Sequence, residues 1–210
     1  MEFILLLLSF LLLSSRATSS SDAVLDSDGN ELQSGQLYYA ESVYSRGGAG
    51  GLRMESPQGQ RCPLYVAKGS FNDVKGQPLM FFPENKKDDI VRVERTLYIK
   101  FAEPTPCAES TTWRLDNNNN AVVTGGTTSS KVGPHDSRFA LYRTNMGYKI
   151  RPCPCSKGVN RPSCRMECSG HLGVVEGKIE RQLGVNDIPH EFRLMPAKRG
   201  EIEFVTRSEV

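Results

Sequence analysis

No part of this chain holds one pattern for long. Runs rich in β-branched and aromatic residues follow one another: "LYYAESVY", "CPLYVA", "PLMFF", "IVRVERTLYIKF", "TTWRL", "AVVT", "RFALYR", "YKIRP", "LGVV", "HEFRLM" and "IEFV". Turn formers separate them, among them Asp28-Gly29-Asn30, Pro57-Gln58-Gly59, Lys75-Gly76 and Thr124-Gly125-Gly126. Glycine supplies positive φ, proline presets φ, and Asn and Asp bond their own backbone, so such clusters end strands. About a dozen short strands at this spacing predict a sandwich or a barrel. No stretch sustains a 3.6-residue apolar period, so long helices are not expected.

Alternation gives the inward faces. In "TLYIKF", Leu97, Ile99 and Phe101 share one face, with Tyr98 and Lys100 on the other. In "HEFRLM", Phe192 and Leu194 alternate with Glu191, Arg193 and Met195. The two runs suggest equivalent strands of an internal repeat. Asn117 to Asn120 reads as a solvated loop tip, and the tail is expected to fray beyond Val205.

Phe3 to Leu13 is apolar except for Ser9. A spanning helix needs about 20 such residues, so the run suits a secretory signal better than an anchor. Ala17-Thr18-Ser19 offers a small-x-small cleavage site, giving a signal peptide over 1–19 and one domain over 20–210. No second run of spanning length follows, so no membrane association is expected after cleavage. A secreted destination, or a vacuolar one along the same pathway, is implied. The remaining chain of roughly 190 residues suits a single all-β domain. A formal net charge of +2 with interleaved signs creates no field for nucleic acid or anionic lipid.

Six cysteines follow the leader: Cys62, Cys107, Cys153, Cys155, Cys164 and Cys168. An even count in an exported chain argues for three disulfides. A four-thiolate zinc site in the 153–168 cluster is the weaker reading, because Cys-x2-Cys is the usual zinc spacing. No metal or other cofactor is expected. No zinc-protease motif, nucleophile elbow or phosphate loop is present. A hydrolytic triad would need His135, His171 or His190 beside a nucleophile, and no arrangement of residues provides one. All three histidines read as structural or solvated, and Trp113 as core. The chain does not read as an enzyme.

"VLDSDGNELQSGQLYYA" resembles the opening motif of the Kunitz-type soybean trypsin inhibitor family, carried here by Val24, Asp26, Asp28, Gly29, Asn30, Leu32 and Tyr38-Tyr39, with Ala40 in place of a larger aliphatic residue. "GGLRM", "RCPLYV", "LYIKFAEPTPC", "TTWRLD", "YKIRPCPC" and "HLGVV" resemble the family in the same order. The four-cysteine cluster is similar to the miraculin-like branch. The resemblance implies a β-trefoil: twelve strands, a six-stranded barrel, three hairpins and pseudo-threefold symmetry. It also implies the pairings Cys62–Cys107, Cys153–Cys168 and Cys155–Cys164.

It gives meaning to "FFPENKKDDIV" as well. In inhibitory members an external loop enters the protease, about two dozen residues after the first cysteine, and that is where Lys86 stands. The implied reactive loop is Pro83, Glu84, Asn85, Lys86, Lys87 and Asp88. Lys86 would be the primary specificity residue and Lys86–Lys87 the bond presented to a trypsin-like serine endopeptidase, by a monomeric inhibitor. Inhibitory members brace this loop with an asparagine, and Ser34 occupies that position here. One residue more than the inhibitor pattern follows the bond. A non-inhibitory binding or storage protein, or a cysteine-protease inhibitor using another loop, are the other readings of the same scaffold.

Overall fold

The computed structural model describes residues 22–43, 50–70, 75–116, 120–128, 137–156 and 165–198. Among these, none is helical. The strands in chain order are β1 (Tyr38–Ser42), β2 (Leu52–Glu55), β3 (Tyr65–Lys68), β4 (Leu79–Pro83), β5 (Thr96–Phe101), β6 (Arg114–Leu115), β7 (Val122–Val123), β8 (Phe139–Arg143), β9 (Tyr148–Pro152), β10 (Cys155–Ser156), β11 (Arg165–Met166), β12 (His171–Val175), β13 (Gln182–Asn186) and β14 (Glu191–Pro196).

Six of them close a barrel in the order β1-β14-β9-β8-β5-β4, and Tyr38 opposite Leu79 completes the circle. Six more form three hairpins, β2 with β3, β6 with β7, and β12 with β13. These join through β13-β3 and β3-β7 contacts into a second layer. The repeating unit is therefore strand, hairpin, strand, used three times: β1 to β4, β5 to β8, and β9 with β12 to β14. This is a β-trefoil, with the β10-β11 ladder inserted into its third unit.

Inward-facing residues meet across the barrel ladders. Leu79 and Phe81 of β4 stand opposite Phe101 and Ile99 of β5, and Leu141 of β8 opposite Ile150 of β9. Such cross-strand apolar pairs hold register, because a one-residue slip would turn every one of them to the other face. Trp113 fills the middle, fully buried, its ring centroid 5.7 Å from Phe101 and 6.0 Å from Phe139. Each large apolar side chain so buried contributes about 1.5–3 kcal/mol relative to exposure.

Two readings of the sequence change here. "TLYIKF" and "HEFRLM" are not equivalent strands: β5 opens the second unit and β14 ends the third. Both line the same barrel, and period-2 alternation cannot tell an opening strand from a closing one. Nor is "IVRVERTLYIKF" one run. Glu94 adopts φ 59°, which breaks it into isolated bridges at Ile90 and Arg92 and then β5. "IEFV" and the leader lie outside the described residues.

The segment before β1 makes no regular strand, yet it is fixed. Asp26 accepts the N–H groups of Asp28 and Asn30 through Oδ1, and Gly29 takes the positive φ of 83° that this tight turn requires. The reversal lets Leu32 donate to Val24 O, while Val24 donates to Val91 O and Val91 to Leu32 O. The opening motif thus becomes a clasp on residues 89–93.

Candidate functional site: an exposed lysine pair on a tethered loop

Between Pro83, the last residue of β4, and the bridge at Ile90, the chain leaves the barrel. Asn85, Lys86, Lys87, Asp88 and Asp89 are exposed, and Glu84 is half-buried. Asp88 donates its N–H to Asn85 O at 3.0 Å, closing a turn with the two lysines at its corner. The Asn85 side chain braces that turn from within: Oδ1 accepts Lys87 N–H at 3.3 Å and Nδ2 donates to Asp88 Oδ1 at 3.0 Å. Asn85 is suited to this because its amide offers both a donor and an acceptor.

Both flanks are tied down. On the leading side, Glu84 donates its N–H to Thr96 O at 3.0 Å. Its carboxylate accepts Arg138 Nε–H on Oε1 at 2.8 Å and the Thr96 hydroxyl on Oε2 at 2.6 Å. On the trailing side, Ser34 N–H donates to Asp89 O at 2.8 Å, and Gln33 bridges Ile90. The Ser34 hydroxyl makes no hydrogen bond to the loop, and Ser34 and Lys86 both line an open groove of about 600 Å³. A second groove, of about 620 Å³, lies on the side lined by Asp22, Asn85 and Asp88. The loop is thus a ridge with a trough on each side, a convex form suited to entering a cleft.

The structure therefore brings Pro83 to Asp88 and Ser34 into one place. The sequence reading missed Thr96 and Arg138. Arg138 precedes an apolar run and looks like a solvated strand-end charge, and nothing local links it to Glu84 54 positions earlier. It is in fact only 8% exposed.

Away from the loop, the structure joins Cys62 to Cys107 and Cys153 to Cys168. Cys153 and Cys168 are thereby removed as zinc thiolates. The Cys155–Cys164 pairing and His135 lie outside the described residues. His171 opens β12, with its pKa lowered by burial and by the nearby cations Lys149 and Arg151. His190 is buried ahead of β14, and its Nε2 has no hydrogen-bond partner among the described residues. Burial and the Lys68 charge hold its pKa down, at about 4.

A family model described as trypsin and protease inhibitor of the legume Kunitz type matches residues 24–195. A trypsin/chymotrypsin inhibitor from Alocasia macrorrhizos is 50% identical over 187 residues, covering 86% of this chain and all of that one. Miraculin from Synsepalum dulcificum is 35% identical over 192 residues, with 85% of this chain and 84% of that one covered. The crystal structure of alocasin, a protease inhibitor from giant taro (Arum macrorrhizon), superposes with a TM-score of 0.73 at 51% identity, covering 84% of this chain and all of that one. With its barrel, its three hairpins and its matched span, the chain belongs to the plant Kunitz family of protease inhibitors and is not an enzyme.

Proposed function

We propose that this protein inhibits trypsin-like serine endopeptidases by offering the loop from Pro83 to Asp88 as a substrate that is released very slowly. One observation carries this reading: an exposed lysine pair stands at the crest of a ridge whose two flanks are hydrogen-bonded to the barrel and to the opening clasp. The trypsin/chymotrypsin inhibitor similarity supports the target class.

The chemistry follows from the residues. A trypsin-like enzyme carries a carboxylate at the base of its specificity pocket. The Lys86 ammonium on its long apolar stem fits that slot and meets that charge. Lying along the cleft requires the Asn85 O to Asp88 N–H bond to open, at about 1 kcal/mol. The flanks do not have to be ordered on binding, because folding has already ordered them, and this favours affinity. If the Lys86–Lys87 bond is cut, the new ends stay held at Glu84 and at Asp89, side by side, and the bond can re-form. We also infer that residues 1–19 direct the chain into the secretory pathway, where the disulfides form.

The test is a titration of the oxidised mature chain against trypsin, chymotrypsin and papain. Lys86→Ala should weaken trypsin inhibition by about 2 kcal/mol or more, the loss of a central anchor. Lys87→Ala should weaken it less. A larger loss at Lys87 would move the presented bond to Lys87–Asp88. Trypsin cutting the loop freely, with no tight complex, would overturn the proposal in favour of a non-inhibitory protein; inhibition of papain alone would place the activity in another loop.

A further inference from the structure

We propose that Arg138 is a positioning residue for the inhibitory loop: with Thr96 it fixes the Glu84 carboxylate, and so the backbone entering Lys86, from the side opposite Ser34. The proposal rests on the loop reading above and deepens it.

Glu84 lies two residues before Lys86. Three hydrogen bonds fix it, one through its N–H and one through each carboxylate oxygen, and together they hold both its backbone and its side chain. The partners belong to the barrel. Thr96 opens β5, and Arg138 immediately precedes β8. The Arg138 carbonyl accepts the N–H of Cys153 at 2.9 Å, and Cys153 is bridged to Cys168. The loop is therefore anchored through Arg138 to a disulfide-linked part of the third unit.

The burial is asymmetric and informative. The Arg138 side chain is 8% exposed and that of Glu84 24%. A buried guanidinium needs a partner, and a half-buried carboxylate beside solvent gains a fixed direction from it. Deleting Arg138 leaves the Glu84 carboxylate without its ion-pair partner and held on one oxygen only, by the Thr96 hydroxyl. Ser34, across the loop, contributes only its backbone N–H. Glu84 is thus the one side chain on the leading flank through which the loop is bonded to the barrel among the described residues.

The same anchor bears on the cut form. Hydrolysis between Lys86 and Lys87 leaves Lys86 as a new chain end, two residues from Glu84. With the Glu84 side chain held, that end stays near the Lys87 amine; with it released, the end swings about the last residue of β4 and the bond re-forms more slowly.

The experiment compares wild type with Arg138→Met, which keeps the apolar stem, Arg138→Lys, which keeps the charge without the Nε–H donor, and Thr96→Val, which removes one hydroxyl at constant shape. Each is measured for trypsin inhibition, for the rate of cleavage after Lys86 by catalytic trypsin, for hydrogen exchange at the Glu84 and Asp88 amides, and for the thermal midpoint. Arg138→Met should weaken inhibition by at least about tenfold, the effect of one charge-assisted hydrogen bond. It should also speed cleavage and loop exchange. Arg138→Lys should recover part of the loss, and Thr96→Val should shift all loop readings in the same direction by less. A lowered thermal midpoint with loop exchange and cleavage unchanged would reduce Arg138 to a structural residue and overturn the proposal. Should Arg138→Met fail to fold, unchanged loop exchange in Thr96→Val and Arg138→Lys overturns it equally. If wild type does not inhibit trypsin, the inhibitory reading falls, and faster exchange at Glu84 in the variants still establishes the anchor.

Discussion

Ser34 and His190 are single residues whose surroundings set measurable behaviour. Ser34 holds the loop only through its backbone N–H and lines a groove beside Lys86 with room for a longer side chain. Ser34→Asn should therefore tighten trypsin inhibition, by up to about tenfold if its amide gains one hydrogen bond to the loop. An unchanged inhibition constant would mean the loop is already as rigid as binding requires. His190 concerns stability. Its folded pKa of about 4 lies below the ordinary 6.5, because burial and the Lys68 charge disfavour the cation. Above pH 6.5 the ring is neutral in both folded and unfolded states. Between pH 6.5 and 4 the unfolded chain takes up the proton and the folded chain does not, so stability falls with acidification through that window. The loss is on the order of 3 kcal/mol at its limit. Urea unfolding at pH 7 and pH 4.5 should show the fall, and His190→Phe should remove most of it.

Among the elements, β5 was legible and β13 was not, for opposite reasons. Leu97, Ile99 and Phe101 face the barrel interior, so their alternation is pure. Tyr98, on the other face, is also buried at 4%, so alternation gave the direction of the side chains and not how deeply each is covered. β13 begins with Gln182, 1% exposed, whose Oε1 accepts the N–H groups of Lys178 and Ile179. A buried amide spent on a local turn looks in sequence like surface. β2 escaped for a related reason: Arg53, Met54 and Glu55 are all half-buried, and no face of "LRME" stands out. The exposed loop between two strands was legible in its polar residues, while the hold on Glu84 comes from distant residues that no local pattern joins. The Cys62–Cys107 bridge ties the approach to β3 to the loop after β5, closing a separation of 45 residues. Replacing both cysteines with serine should lower stability by about 2–5 kcal/mol, read from the urea midpoint. A change below about 1 kcal/mol would mean the barrel ladders alone define these elements.

At the scale of the whole molecule, the barrel is sealed along β1 and β14, from Tyr38 opposite Pro196 to Ser42 opposite Phe192. Phe192 and Leu194 each enter the core from this strand, and Leu194 O also accepts Ser27 N–H from the opening clasp. A chain ending before Glu191 should lack a cooperative thermal transition, bind apolar dyes and fail to inhibit. A sharp two-state melt from such a fragment would show that the other five strands suffice. The seam also sets an order in time. Synthesis runs from the first strand to the last, so Lys86–Lys87 is made before Arg138 exists to hold it and well before β14 can close on β1. Until residue 196 has emerged, the loop is an ordinary flexible peptide with a basic pair in it. If this loop is the inhibitory one, as proposed, the nascent chain presents it to proteases as a plain substrate, and only the closed barrel turns that substrate into an inhibitor.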